Sequence, residues 1–302
     1  MKRKRLIIKL LELVNMKTCN SLSGGKTSSY IAANYPADYN VFALVRTIDK
    51  NCMFPDAKIR QIVSDKIGRE FIGTLEEDTI IYTMLDLEQF IGSKINWVTG
   101  KTFDDILLRE NGGKKILPNV SRRFCTVEMK LQPIFDWWLK TINEVVEMRI
   151  GFRANEYSRA KNMLDRANKN GLLEQKTIVG KRKGKTNQNK WASVEWQKPV
   201  FPLITDNIYK DNIEKFWEDK PVRFAYMNNC VGCFHRNPVV LKHMSERHPN
   251  KFQWFVDQEK NTGYGNQTWI HKTTYEKIKN SFKQTELFDS DFTDCDSGYC
   301  GL

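Results

Sequence analysis

The sequence predicts an α/β fold, a parallel β-sheet with helices on both of its faces. From Met16 onward, short apolar runs alternate with amphipathic stretches, the order that parallel strands and their crossover helices require. A glycine-rich turn joins the first apolar run to the first amphipathic stretch. The chain of 302 residues is long enough for one large domain or two smaller ones, because domains usually contain about 100–200 residues.

The alternation places each strand and helix along the chain. We expect strands at residues 17–22, 41–45, 79–84 and 145–151. Helical periodicity predicts helices at residues 28–34, 56–68, 102–109 and 130–142. Sheets of this kind bind ligands beyond the carboxyl ends of their strands, so the residues that follow each strand are the candidates for chemistry.

Two domains are expected, an α/β domain over residues 16–220 and a smaller Cys-rich module over residues 221–302. The composition changes near the boundary, where cysteines, histidines and aromatic residues become frequent. Residues 1–15 are expected to form an amphipathic extension, and translation from either Met1 or Met16 fits the sequence. Lys9 and Glu12 interrupt the apolar run of that extension, which argues against an export signal.

Composition excludes several classes of protein. Hydrophobic residues make up 40% of the chain and charged residues 28%, and the mean hydropathy is −0.55, which excludes a disordered tail, a collagen and a multi-span membrane protein. No stretch reaches the roughly 20 apolar residues of a membrane-spanning helix. Seven cysteines without an export signal predict a reducing, cytoplasmic location, where thiols more often serve metals or catalysis than disulfides.

The positive charge is concentrated in two places. The net charge is +12, and most of the excess lies in residues 2–5 and 181–190, which points to an anionic partner at particular surfaces. The segment 180–190 has no apolar residue and is predicted to be a loop. This basic loop predicts either a contact with nucleic acid or a solvated insertion.

The glycine-rich turn has the composition of a phosphate cradle. Glycines let a backbone approach an anion closely, hydroxyls donate to its oxygens, and a helix that begins there presents free N–H groups. A turn capped by serine or threonine is the simpler alternative. A Walker A loop is excluded because Asn20 stands where its first glycine is required. The candidate phosphate-binding residues are Ser21, Ser23, Gly24, Gly25, Lys26, Thr27 and Ser28.

Three segments carry a resemblance to a known superfamily. The turn resembles the SGGxTS pyrophosphate loop (PP-loop) of the adenine nucleotide alpha hydrolases, which include the phosphoadenosine phosphosulfate (PAPS) reductases and the ATP pyrophosphatases. Residues 122–133 resemble the R-x-C-T-x-x-x-K-x-x-P stretch of PAPS reductase-like proteins, and residues 151–159 resemble their G-x-R-x-x-E-S-x-R stretch. Lys26 departs from the aspartate of many relatives, and Ser158 comes one place late. The resemblance implies a Rossmann-like (HUP-type) fold over roughly the first half of the chain.

The resemblance also implies a set of residues around an adenine nucleotide, either ATP or PAPS/APS. Arg123, Arg153 and Arg159 are expected to bind its phosphate or sulfate groups, because guanidinium matches their bidentate geometry. Lys130 would add a point charge and, with Arg153, act in catalysis. Glu156 would orient Arg153 or hold a magnesium ion.

The cysteines predict a metal centre. Cys230 and Cys233 form a CxxC, and Cys295 and Cys300 form a second close pair. Four thiolates suit zinc or a [4Fe-4S] cluster. The resemblance favours the cluster over zinc and adds Cys125 to the ligands. It also implies that Cys300 is a catalytic nucleophile, with ligation of the metal as the alternative.

Several other cysteine and aromatic residues are expected to pack in the core and to have no chemical role. Cys19 and Cys52 lie in or near apolar runs and are expected in the core. Phe252, Trp254 and Phe255 have helical spacing and are expected to pack the C-terminal module.

Three functions therefore remain open. The first is a PAPS reductase-like enzyme of sulfonucleotide reduction or sulfur transfer, in which a cysteine attacks sulfur and a thioredoxin-like reductant or a sulfur donor completes the reaction. The second is an ATP pyrophosphatase that activates a nucleic acid for thiolation. The third is a non-catalytic, nucleic-acid-binding zinc protein. No membrane partner is expected.

Overall fold

Six strands form one sheet in a computed structural model, which describes residues 16–107, 115–182, 185–260, 262 and 267–281. The strands are β1 (Thr18–Leu22), β2 (Tyr39–Ala43), β3 (Ile95–Val98), β4 (Val146–Arg149), β5 (Leu173–Arg182) and β6 (Lys185–Val200). Their order across the sheet is β3-β2-β1-β4-β6-β5. All neighbouring pairs are parallel except β5 and β6, which form an antiparallel hairpin at one edge. The α/β fold and its mostly parallel sheet are confirmed.

Helices connect the strands and cover the sheet. In chain order they are α1 (Lys26–Asn34), α2 (Ala57–Ile67), α3 (Thr79–Ile91), α4 (Phe103–Leu107), α5 (Phe124–Thr126), α6 (Gln132–Thr141), α7 (Tyr157–Leu164), α8 (Pro202–Thr205), α9 (Lys210–Trp217), α10 (Pro238–Arg247), α11 (Pro249–Lys260) and α12 (Tyr275–Lys279). A π-helical turn, Val127–Leu131, joins α5 to α6, and 3-10 turns lie at Lys50–Cys52 and Ala154–Glu156. None of these helices is long and apolar enough to cross a membrane.

Alternation of side chains along the strands places hydrophobic clusters on both faces of the sheet. Leu22 of β1 belongs to one cluster, together with buried residues of α1, α2, α3 and α9. Cys19, on the other face of the same strand, belongs to the opposite cluster, with residues of α6 and α7. A parallel sheet is stable only when both faces are covered, and this division meets that requirement.

The predicted strand at residues 79–84 is wrong, because these residues begin α3. Its β-branched start favours a strand in isolation. However, Ile80, Ile81, Met84 and Leu87 are buried at helical spacing, and their packing decides the conformation. The third strand of the sheet is instead β3, which the sequence reading missed.

The predicted basic loop at residues 180–190 is also wrong. Apart from 183 and 184, which lie outside the described residues, this segment belongs to strands β5 and β6. The two strands satisfy each other's backbone groups by pairing, so a polar ribbon needs no apolar residue to remain ordered in a hairpin. The polar composition of this segment therefore did not distinguish a loop from a hairpin.

The C-terminal region shares a core with the first half of the chain. Phe252, Phe255 and Trp269 pack in one cluster with Phe103 and Met129. The predicted burial of Phe252, Trp254, Phe255, Cys19 and Cys52 is confirmed. Cys295, Cys300 and the extension at residues 1–15 lie outside the described residues.

Candidate functional site

The sheet has a topological switch point between β1 and β4. From β1 the chain runs to β2 and β3 on one side, whereas β4 is followed by β6 on the other side. Open α/β sheets bind ligands in the crevice beyond the carboxyl ends of the two strands at such a point. The segments that leave β1 and β4 there are 23–25 and 150–153, which include the predicted site residues Ser23, Gly24, Gly25 and Arg153.

The glycine-rich turn, residues 21–28, which we call the glycine loop, is closely packed at this crevice. Gly24 has a φ of +80°, and a Cβ at this position would lie 2.6 Å from the Cγ2 of Ile80. On the β4 side, a Cβ at Gly151 would lie 3.3 Å from the Cγ2 of Thr27 and 3.5 Å from the backbone nitrogen of Ser28. Two glycines thus allow α3 and β4 to close around the start of α1.

Hydrogen bonds within the loop fix its shape. The Ser28 hydroxyl donates to the Gly25 carbonyl at 3.2 Å and accepts from the Ser23 backbone N–H at 3.1 Å. The Ser23 and Ser28 hydroxyl oxygens are 3.0 Å apart. Helix α1 begins directly after Gly25, which has no side chain that could cap the helix. The N–H groups of the first turn therefore remain suited to an anion.

A cavity of about 60 Å³ opens at the loop. Gly25 and Lys26 form one wall, Glu214 of α9 a second, and Tyr226 and Asn228 a third. Lys26 forms an ion pair with Glu214 across the cavity.

The indole N–H of Trp217 donates to the Lys26 carbonyl at 3.0 Å. Helix α9 therefore contacts the loop through both a charged and a neutral group.

Three more predicted site residues meet beyond the carboxyl end of β4. Arg153 is 3% exposed, and both its backbone N–H and its Nε donate to the Glu156 carboxylate, at 2.9 and 3.0 Å. Arg159 donates to the other oxygen of the same carboxylate and lies 4.5 Å from the ring centroid of Phe152. Because both carboxylate oxygens already accept from guanidinium groups, the geometry fits the orienting role for Glu156 better than magnesium ligation.

Three cysteines line a second cavity, of about 50 Å³. Cys230 and Cys233 occupy one turn, in which the Cys233 N–H donates to the Cys230 carbonyl at 3.0 Å, and Cys125 lies opposite in α5. Burial raises the pKa values of the Cys125 and Cys230 thiols, and the nearby Glu76 carboxylate raises that of Cys230 further. Such thiols are weak nucleophiles unless a cation stabilises the thiolate.

Arg123 contributes an unusual group to this thiol cavity. Its Nε and Nη2 atoms are buried, and neither has a hydrogen-bond partner in the part of the chain that the structure describes. The adjacent His235 imidazole has a pKa lowered to about 4, by burial first and then by the positive charges of Arg123 and Arg236. Buried N–H groups of a guanidinium that lack partners are costly, so the cavity is electrostatically suited to an anion.

Lys130 also faces the thiol cavity and donates to Glu76 at 3.0 Å. Glu76 is 2% exposed. The structure thus places Arg123 and Lys130 beside the cysteines, whereas Arg153 and Arg159 lie with Glu156 beyond the carboxyl end of β4.

The donor chemistry of the thiol cavity fits a metal centre, although its described residues do not complete one. Thiolates are the usual ligands of iron–sulfur clusters and structural zinc, and the unsatisfied Arg123 suits the negative charge of a thiolate-bound cluster. Within the described ranges, no group of three or more histidine, cysteine, aspartate or glutamate side chains is arranged to hold a metal ion. The predicted ligands Cys295 and Cys300 lie outside those ranges.

One segment, Ala225–Cys233, borders both cavities. Tyr226 and Asn228 line the loop cavity, and Asn229 and Cys230 line the thiol cavity. Asn229 has a φ of +77°, a left-handed conformation that asparagine tolerates better than most residues. The backbone thus turns between the two cavities over two adjacent residues.

Sequence reasoning missed several residues that build this site. Glu76 and Glu77 are buried carboxylates, 2% and 3% exposed, and Glu77 accepts a hydrogen bond of 2.5 Å from the Met227 N–H. Glu214 pairs with Lys26 from a distant part of the chain. The consecutive acids at 76–78 and the paired asparagines before Cys230 were the available signals.

Comparisons of the chain with protein-family models, curated proteins and solved structures give no match.

Proposed function

We propose that this protein is a PAPS reductase-like enzyme that binds an adenine nucleotide at the glycine loop and acts in sulfonucleotide reduction or sulfur transfer. The observation that carries the proposal is the segment Ala225–Cys233, which borders both the cavity at the glycine loop and the cavity lined by three thiols. A nucleotide held by its phosphates at the loop would direct its reactive end toward the cysteines of the thiol cavity.

The nucleotide would be held by both sides of the switch point. The N–H groups at the start of α1, with Lys26, would bind one phosphate group, because a helix N-terminus and an ammonium both favour negative charge. Arg153 and Arg159 would bind a neighbouring phosphate or sulfate group from the β4 side. Glu156 fixes the orientation of both guanidinium groups, which reduces the entropy lost on binding.

The proposed reaction is a thiol attack on a sulfonucleotide. A thiolate, assigned to Cys300 by the resemblance, attacks the sulfur of PAPS or APS. A sulfur–sulfur bond forms, the sulfur–oxygen bond to the phosphate breaks, and the nucleotide leaves with that oxygen. A dithiol of the thioredoxin class then reduces the thiosulfonate by two electrons, releases sulfite and restores the thiol.

A metal centre in the thiol cavity belongs to the same proposal. Cys125, Cys230 and Cys233 would hold a [4Fe-4S] cluster or zinc, with Cys295 as a further ligand, because Cys300 is the nucleophile of the proposed reaction. The bound metal would supply the positive charge that keeps these thiols ionised despite their burial. The Arg123 guanidinium would in turn balance the net negative charge of a thiolate-bound cluster.

Thermal unfolding tests the nucleotide site. PAPS, APS or ATP at about 100 times its dissociation constant stabilises a protein by about 2.7 kcal/mol, which corresponds for a chain of 302 residues to a rise of roughly 4 °C in the melting temperature. We expect this rise for the wild type and its loss in the double variant Gly25→Ala/Lys26→Ala. Lys66→Ala is the matched control, because Lys66 also forms a single ion pair, with Glu88, away from the loop. An unchanged nucleotide effect in the double variant would falsify the placement of the site.

Two further measurements identify the reaction. Sulfite release from PAPS or APS with a dithiol supports the reductase, whereas pyrophosphate release from ATP only, stimulated by nucleic acid, would replace it with the ATP pyrophosphatase. Anaerobically purified protein that is brown and contains iron supports the cluster, and colourless protein with bound zinc rejects it.

A further inference from the structure

The hairpin at the edge of the sheet is an exposed arm with a distinctive surface. We call residues 176–182 and 185–191 the basic ribbon. In this part of the chain β6 pairs with β5 alone, because its pairing with β4 is confined to Gln197–Val200. The ribbon therefore extends beyond the rest of the sheet, by about 23 Å for the seven residues of each strand at about 3.3 Å each.

The ribbon is strongly positive toward its end. The ribbon contains five lysine or arginine residues and no aspartate or glutamate. Lys176, Lys181, Arg182 and Lys190 are exposed. The positive stretch has a defined boundary, because Glu174 and Glu195 lie opposite each other nearer the sheet.

Exposed apolar side chains lie among these charges. Ile178 and Trp191 are cross-strand partners and are 47% and 61% exposed, and Val179 is 48% exposed. The other seven tryptophans are buried or half-buried. Large apolar side chains that remain exposed within a charged surface are typical of interaction sites.

We infer that the basic ribbon docks double-helical DNA by entering its major groove. The major groove of B-form DNA is about 12 Å wide and admits a two-stranded β-ribbon. Lysines and arginines on both strands can contact phosphates, while the Ile178–Trp191 face is available for apolar contact with thymine methyl groups. An anionic membrane would also attract positive charge, but it offers no groove for an extended two-stranded arm.

The position of the ribbon makes it a docking arm rather than part of the nucleotide site. Strand β6 runs parallel to β4, and its carboxyl end at Val200 pairs with Arg149 beside the switch point. The basic ribbon lies at the opposite, amino end of β6. DNA docking is therefore independent of the proposed nucleotide chemistry and can be tested without any nucleotide.

The experiment compares two variants of equal net charge. Lys181→Glu/Arg182→Glu/Lys190→Glu alters the ribbon, and Lys58→Glu/Lys140→Glu/Lys215→Glu alters three exposed lysines elsewhere. Fluorescence anisotropy measures binding of each full-length protein to a labelled 20-base-pair DNA duplex over a range of salt concentrations. Circular dichroism and the melting temperature check that both variants fold.

The expected result is salt-dependent binding to DNA that the ribbon variant loses selectively. Five phosphate contacts predict a slope of about −4.5 for log affinity against log salt concentration, and the ribbon variant should fall to about −2 or shallower. Trp191→Ala should weaken binding with little change in slope. An RNA duplex of the same sequence should bind more weakly, because its A-form major groove is too narrow for a ribbon.

Several outcomes would overturn the inference. These are absence of DNA binding, equal losses in the two triple variants, RNA duplex binding as tight as DNA binding, and a preference for anionic phospholipid vesicles over the duplex. Tighter binding to single-stranded DNA than to the duplex would also reject groove docking, because it would indicate stacking on Trp191.

Discussion

Adding one methyl group at Gly24 tests the packing of the glycine loop. The alanine Cβ would lie 2.6 Å from the Cγ2 of Ile80, whereas carbon atoms in contact are normally about 3.5–4.0 Å apart. The residue also has a φ of +80°, a conformation that costs an L-amino acid about 1–2 kcal/mol. Gly24→Ala therefore combines backbone strain with a steric clash.

Gly92→Ala separates these two costs. Gly92 has a φ of +60°, and a Cβ there would meet no atom of the described residues within 4 Å. This control should lose only the roughly 1–2 kcal/mol of backbone strain. Gly24→Ala should lose a further 1–3 kcal/mol or so from overpacking, for a total of about 2–5 kcal/mol.

Urea denaturation measures both free energies of unfolding, and repeating it with nucleotide measures the effect on binding. We expect Gly24→Ala to lose much of the nucleotide-dependent stabilisation and Gly92→Ala to keep it. Equal destabilisation of the two variants would refute the steric argument. Full nucleotide stabilisation of Gly24→Ala would refute the assignment of the loop as the phosphate site.

Three further substitutions test charged contacts. Glu156→Gln should cost about 3 kcal/mol in urea denaturation, because it breaks a buried ion pair, and should weaken nucleotide binding; unchanged affinity would contradict the orienting role. Glu214→Gln should strengthen nucleotide binding in isothermal titration, because the Lys26 ammonium loses its ion-pair partner; weaker binding would contradict it. Hydrogen bonds from Arg223 hold the pKa of Asp86 below 3.8, so the folded-state pKa is the lower one and its stabilisation is present above pH 3.8 and lost below. Asp86→Asn should therefore be less stable than the wild type at pH 7, by up to about 1 kcal/mol, with a difference that shrinks toward pH 3; a constant difference would contradict this linkage.

The fold could be predicted as far as local patterns determine it. Strand β1, the glycine loop and helix α1 follow one another within 17 residues. Each can be recognised from its own residues, without its tertiary contacts. The strand predicted at residues 79–84 failed because β-branched residues fit either structure, and only the packing of Ile80 and Leu87 on neighbouring helices selects the helix. The ribbon failed because its stability comes from cross-strand pairing, which composition does not reveal.

The candidate site was predictable only in its motifs. The family resemblance selected Arg153 and Glu156, which the structure brings into direct hydrogen-bond contact. The partners supplied by distant parts of the chain were not predictable, because nothing near Lys26 in the sequence indicates Glu214. The same limit applies to Arg123, whose expected place was at the nucleotide but whose observed place is beside the cysteines.

The segment that leads into α3 explains how the loop and the thiols are held at a fixed separation. Leu75 accepts a hydrogen bond of 2.8 Å from the Val231 N–H, and Glu76 forms an antiparallel bridge with Cys230. Four residues later, Ile80 packs against Gly24 of the glycine loop. The segment is itself anchored, because the Lys251 ammonium donates to the Glu76 carbonyl at 2.6 Å. A short, buried stretch of chain therefore contacts both halves of the proposed site. A close-packed interior transmits a displacement rather than absorbing it. A shift of the glycine loop on nucleotide binding would therefore also displace the turn that contains Cys230 and Cys233.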